Sequence, residues 1–224
     1  MESEREPSSS PFGVRPGEMI RQAWTAYWAN RYQLTLWSFV SLVTYYASIQ
    51  LVSEDQTAWT QVGFLVAGMV ATTTVAYPWF RLALASIDGT AAPFHVGRFY
   101  DQAVASAFFW AGVLLGFRYL YGIPALFVLV MYAFFGYAVV EEPRRGGLKA
   151  LGWSVQVGTK RRVGIFAIVA LLLTMNLLAF IPIGLGTGSL FVAATALLLT
   201  VTTNVSIVSG AVVYRALERT APKR

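Results

Sequence analysis

Six apolar stretches dominate this chain. Each is about the length a helix needs to cross a hydrocarbon layer some 30 Å thick, which takes about 20 residues. They run from about Tyr32 to Val52, Ala58 to Phe80, Ala103 to Tyr121, Pro124 to Val140, Val163 to Ile183 and Leu190 to Val213. Unsatisfied backbone is not tolerated in lipid, so stretches of this kind fold as helices. The expected fold class is therefore all-α, an integral membrane bundle of six transmembrane helices. The fourth stretch is short, and Tyr121-Gly122-Ile123-Pro124 makes it a tight hairpin with the third.

Composition supports this reading. Apolar residues make up 56% of the 224 and charged residues 12%, about half the share of a soluble domain. The absence of cysteine removes disulfides, Cys-ligated metals and thiol nucleophiles. One histidine, His95, cannot build a His-rich metal site.

With six crossings the termini share a side. Sixteen of the seventeen Lys and Arg residues fall on that side, and only Arg118 on the other. The positive-inside rule then puts both termini in the cytoplasm, with Glu54-Asp55 and Gly184–Ser189 outside. The expected location is the cytoplasmic (inner) membrane of a prokaryote, multi-pass. Met1–Ser10 is acidic and Ser-rich with no apolar core, so it reads as no signal peptide. Residues 1–13 read as a disordered tail, 14–219 as the membrane domain and 220–224 as a basic tail.

Two segments have the pattern of helices lying in the headgroup plane. In 16–31, Met19, Ile20, Ala23, Trp24, Tyr27 and Trp28 share one face, opposite Glu18, Arg21, Gln22, Thr25 and Asn30. Residues 147–162 repeat the arrangement, with Trp153 seven residues before Lys160 as Trp24 is before Arg31. A weaker copy spans Phe94 to Gln102. The chain thus reads as three units, each an interfacial cytoplasmic helix followed by a membrane hairpin. Trp24, Trp28, Arg31, Trp79, Arg81, Trp153, Lys160, Arg161 and Arg162 are the candidate contacts to lipid headgroups.

Phe80-Arg81-Leu82-Ala83-Leu84-Ala85-Ser86-Ile87-Asp88-Gly89 resembles the "R-x-A-L-x-x-x-x-G" stretch after the second span of a prokaryotic multi-pass group. Ala138-Val139-Val140-Glu141-Glu142, followed by Ala150-Leu151-Gly152-Trp153-Ser154, resembles that group's "vvee…Al-x-x-S" signature. The group includes the membrane domain attached to some glycerophosphodiester phosphodiesterases and many stand-alone proteins. The resemblance covers most of the chain from about residue 16. It departs from the pattern at Gly122-Ile123-Pro124, where the group usually has Ile-Pro-Gly. The resemblance implies a fold. It does not imply phosphodiesterase activity, because no segment matches the catalytic domain.

Ionisable groups inside a membrane are costly and are the usual functional candidates. Arg118 stands alone as one, near the outer end of the third span, within reach of Glu54 or Asp55, and reads as an anchor. Glu141 and Glu142 diverge by about 100° on a helix end and suit a charge network with Arg144, Arg145 and Lys149 better than acid–base catalysis. Asp88, Asp101 and His95 read as surface groups. Gly184-Leu185-Gly186-Thr187-Gly188 lacks a strand–turn–helix setting and reads as a helix–helix turn. Gly112 and Gly116 read as an internal packing face.

Ser38, Ser41, Tyr45 and Ser48 form a polar stripe on the first span, and the sixth carries Asn204 among several hydroxyls. Helix arithmetic places Asn176 level with Thr195 on the antiparallel sixth span. No midplane Asp, Glu, His or Lys suits a proton- or ion-coupled transporter, and no GxSxG or HExxH occurs. No enzyme, cofactor, metal or nucleic-acid role is expected. Three readings stand: a structural or accessory protein that organises anionic lipid on the cytoplasmic face and packs in a larger complex; a facilitator for uncharged solutes along the Ser/Thr faces; and a module recruiting a cytoplasmic partner through its amphipathic helices.

Overall fold

A computed structural model describes residues 15–53, 57–119, 122–141, 146–186 and 188–221, with the side chain of Tyr119 outside that description. The tail over 1–13, Glu54-Asp55, Glu142 with Arg144 and Arg145, Thr187 and the last three residues lie outside the described residues. Among those described, all regular structure is helical. The elements are α1 (Pro16–Ala29), α2 (Arg31–Ile49), α3 (Ala58–Val75), α4 (Tyr77–Asp88), α5 (Gly97–Tyr119), α6 (Ile123–Met131), α7 (Phe135–Val140), α8 (Gly147–Gly158), α9 (Arg162–Leu178), α10 (Ile181–Leu185) and α11 (Ser189–Glu218).

Among the described residues, three stretches are long and apolar enough to cross a membrane: Ala58–Asp88, Ile123–Val140 and Ser189–Glu218. α8 and α9, bent by 107° at their junction, make a fourth when the pair is counted as one span.

Local chemistry explains the breaks. Pro78 is the second residue of α4. Its missing N–H and the clash of its ring with the carbonyl four residues back end α3 at Val75. α4 stops at Gly89, which adopts φ +74°, a conformation that costs a glycine little. Gly122, at φ +88°, turns the chain into α6, with Pro124 in its first turn. Pro182 likewise opens α10.

The α6–α7 break has a tertiary cause. Ser154 on α8 accepts from the Phe134 N–H at 3.1 Å and donates to the Met131 carbonyl at 3.1 Å. A hydroxyl inserted in the ladder kinks a helix. α7 behind this break is buried at every residue.

α2 packs on α3, α3 on α5, α5 on α6, and α11 against α1, α4, α10 and α2. Close approach depends on small residues. A Cβ on Gly116 would lie 2.4 Å from the Ala125 nitrogen, and one on Gly68 would lie 2.4 Å from the Ser48 Cβ. Gly112 faces the Val128 side chain, so both glycines of that pair serve the α5–α6 hairpin.

The core sits at one end. Tyr27, Leu34, Tyr77, Trp79, residues 134–140, Ala150, Leu151 and most of 204–217 are buried. Towards the other end the bundle exposes its side chains, with Leu185 75%, Leu190 77% and Leu197 67% exposed. Apolar surface on this scale is what a lipid-facing helix presents.

The three-unit rhythm is only partly matched by separate elements. α1 and α8 are distinct helices, but no third one occupies Phe94–Gln102, where α5 begins at Gly97 and runs unbroken. α1 also packs within the chain: Met19, Ala23 and Tyr27 are buried and the helix packs along α11.

Candidate lipid-headgroup interface and buried polar nodes

The rim is built at the end where α1, the close of α4 and the close of α11 meet. At the α1–α2 corner Trp24 and Trp28 are 46% and 44% exposed and meet edge to face at 5.6 Å. The Arg31 guanidinium lies over the rings of Trp28 and Tyr32, at 5.7 and 4.6 Å, and donates to the Trp28 carbonyl and the Tyr32 hydroxyl. Glu18, on the polar side of α1, accepts two bonds from Arg21 and one from Gln22. The Arg21 hydrogen bonds, then that of Gln22, hold its carboxyl below the ordinary carboxylate range.

At the α8–α9 corner a cavity of about 490 Å³ is lined by Trp153, Gln156, Thr159, Lys160, Arg161 and Thr220, among others. Lys160 and Arg162 are exposed and Arg161 is half-buried. None of these three cations forms an ion pair among the described residues. Cations, hydroxyls, an amide and an indole around one concavity can hold a phosphate by charge-assisted hydrogen bonds.

Trp79 and Arg81 depart from the interfacial role expected of them. Trp79 is 6% exposed and donates its Nε1–H to Asn204 Oδ1 at 2.9 Å, because the α3–α4 break rotates it inward. Arg81 is half-buried, donates to the Ala92 carbonyl and lies 5.8 Å from the Phe94 ring. It secures the segment after α4 instead of reaching headgroups.

Beneath the rim, Arg215 of α11 pairs with Asp88 of α4, Glu141 at the close of α7 and Glu218. Trp153 donates to the Tyr214 hydroxyl at 3.2 Å, which donates to Glu141 at 2.6 Å. Four elements are thereby joined at the base. Sequence reasoning missed this hub, because Asp88 and Arg215 lie 127 positions apart and nothing local marks them as partners. Glu141 belongs to a charge network, but its described partners are on α11, since Arg144 and Arg145 lie outside the described residues.

Amides also lie within the bundle: Gln102 of α5 is fully buried and donates to the Thr73 carbonyl at 3.0 Å, and Asn204 and Asn176 link further helices. Asn204 is fully buried. It accepts from Trp79 and donates to Ser38 Oγ at 3.1 Å and to the Thr200 carbonyl at 2.8 Å, linking α2, α4 and α11. Asn176 donates to Ser206 at 2.8 Å and accepts from Thr202 and Thr203, both at 3.0 Å.

The expected pairing of Asn176 with Thr195 is incorrect. Thr195 instead accepts from the Ile183 N–H at 3.1 Å. The helix arithmetic assumed a straight span to Ile183, whereas α9 ends at Leu178 and α10 turns off. Asn176 therefore meets α11 about two turns deeper.

The α2 stripe divides. Ser48 faces Gly68, while Ser38, Ser41 and Tyr45 line a groove against α11. Arg118 is exposed, 6.0 Å from the Trp59 ring; its expected partners Glu54 and Asp55 lie outside the described residues. His95 and Asp88 are exposed, and Asp101 is half-buried, 3.8 Å from Arg98. Comparisons with protein families, with characterised proteins and with solved structures find no match to this chain.

Proposed function

We propose that this chain is a non-catalytic module of a prokaryotic cytoplasmic membrane that organises anionic lipid at its inner face and packs against partner subunits. In this reading α2, α5 and α9 cross the bilayer along with the three long apolar stretches, making six crossings with both termini inside. α2 has 19 residues and α5 has 23, lengths of about 28 and 35 Å. The reading also keeps the architectural kinship with the membrane domain of some glycerophosphodiester phosphodiesterases, without their chemistry.

One observation carries the proposal: the cations at the α8–α9 corner lack ion pairs among the described residues, while the half-buried Arg215 pairs with three carboxylates. Each base near an anionic surface contributes about 1 kcal/mol. Neutralising Lys160, Arg161 and Arg162 to Gln should therefore weaken retention of anionic phospholipid by about 3 kcal/mol, or roughly a hundredfold at low salt. Native mass spectrometry of the protein released from mixed anionic and zwitterionic bilayers would measure it. Equal retention of the two lipids by the unaltered chain would overturn the proposal. Stoichiometric co-isolation with a larger complex in mild detergent tests the accessory part.

A second reading, passage of uncharged solutes, draws on the hydroxyl-bearing groove between α2 and α11. It weighs less because the groove meets the bonded Trp79–Asn204–Ser38 node at its inner end. Recruitment of a cytoplasmic partner by α1 weighs less again, since the helix commits Met19, Ala23 and Tyr27 to packing within the chain.

A further inference from the structure

We infer that the groove between α2 and α11 is a binding site for an uncharged, lipid-soluble molecule that carries a carbonyl on an apolar body. The inference does not rest on the headgroup reading, which concerns the other corner of the molecule. The groove encloses about 270 Å³, and its twelve lining residues include no charged side chain. A charged ligand would lose its hydration there without a counter-charge.

The hydroxyls in the groove differ in what they have left to offer. Ser38 donates to the Thr35 carbonyl, Thr72 to Gly68, Thr200 to Ala196 and Thr203 to Asn176. Thr35 is bonded to Tyr27. Ser41 is different. It is 4% exposed, and its Oγ has no partner among the described residues. Elsewhere on α2, Thr44 and Ser48 bond the carbonyl one turn back. Tyr45 follows Ser41 by four residues, on the same helix face, and its hydroxyl likewise has no partner among the described residues. Two uncommitted O–H donors one turn apart, in an uncharged trough whose other hydroxyls are already bonded, match a carbonyl acceptor.

The volume holds about nine waters at about 30 Å³ each, room for a ring and a few carbons. The exposed sides of Phe39 and Leu42, 61% and 46% exposed, leave an apolar tail running into lipid. Trp79 forms part of the inner wall.

The test uses a benzophenone bearing a decyl chain, whose carbonyl both accepts hydrogen bonds and photolabels its surroundings. With the full chain in bilayer nanodiscs, labelling should saturate and map to residues 38–45 and 196–203. A decyl benzoquinone should displace it, whereas a decyl diphenylmethane, which lacks the carbonyl, should not. This competition needs no variant. Ser41→Ala combined with Tyr45→Phe should raise the half-saturating probe concentration about tenfold, and Ala196→Phe, filling the groove, should abolish the labelling. Label spread evenly over exposed α3 and α9, or equal displacement by the two competitors, would overturn the inference, as would unchanged saturation in the double variant.

Discussion

Asn204 and Tyr77 are both fully buried polar residues of the bundle, yet their substitution should have opposite consequences. Asn204 accepts from Trp79 and donates to Ser38 and to a backbone carbonyl. Asn204→Leu strips the Trp79 indole of its acceptor, and a buried donor left unpaired costs about 1–3 kcal/mol. Bonds between membrane helices average about 0.6 kcal/mol, so a loss of about 2 kcal/mol is expected. The Tyr77 hydroxyl has no partner among the described residues. Tyr77→Phe should therefore leave stability within about 0.5 kcal/mol of the parent, or raise it. Thermal unfolding of both variants in detergent compares them directly. Neither role was legible beforehand: two polar residues in apolar stretches look alike until the partners 125 positions away are in place.

Among the helices, the α5–α6 hairpin gives a stringent test of packing. A methyl at Gly116 would meet the backbone of Ala125 and Pro124 at 2.4–2.9 Å. Backbone cannot yield as a side-chain tip does. Gly116→Ala should cost about 1–3 kcal/mol through overpacking. Gly152 on α8 opens onto empty space, so Gly152→Ala should stabilise by up to about 1 kcal/mol through helix propensity. The same unfolding measurement reads both. The spacing of Gly112 and Gly116 was visible in the sequence as a packing face, although which helix it served was not.

α1 carries a pH dependence of defined sign. Its Glu18 carboxyl is held below the ordinary carboxylate range. The stabilisation it provides is present above that ordinary range and is lost as pH falls through the lowered value. The first turn of α1 should fray in acid. Amide exchange of residues 17–20, corrected for intrinsic rates, should lose protection there, and Glu18→Gln should remove the pH dependence.

For the whole molecule, the proposed six-crossing topology makes a labelling prediction that the cysteine-free chain suits well. Single cysteines at Thr25 and Thr220 should react with an impermeant maleimide only after the cells are opened. One at Ser189 should react from outside intact cells. Reaction of Thr220→Cys in intact cells would overturn the proposed orientation. The core at one end and the exposed apolar side chains at the other suit a molecule held in a membrane.

Apolar runs, prolines and glycines act through near neighbours, so the helical class, the apolar stretches and the hairpin at Gly122 could be read along the chain, whereas the break before Pro78 inside the second stretch was not. Periodicity likewise marked Met19, Ala23 and Tyr27 as one side of α1. Tertiary structure alone decided that Trp79 turns inward to Asn204, that Arg215 gathers three carboxylates, that Asn176 meets Thr202 and Thr203 instead of Thr195, and that Ser154 breaks α6 from α7. Each of these is a polar contact between distant segments in an apolar interior. There an unpaired group is expensive, and it takes whichever partner the packing brings within about 3 Å.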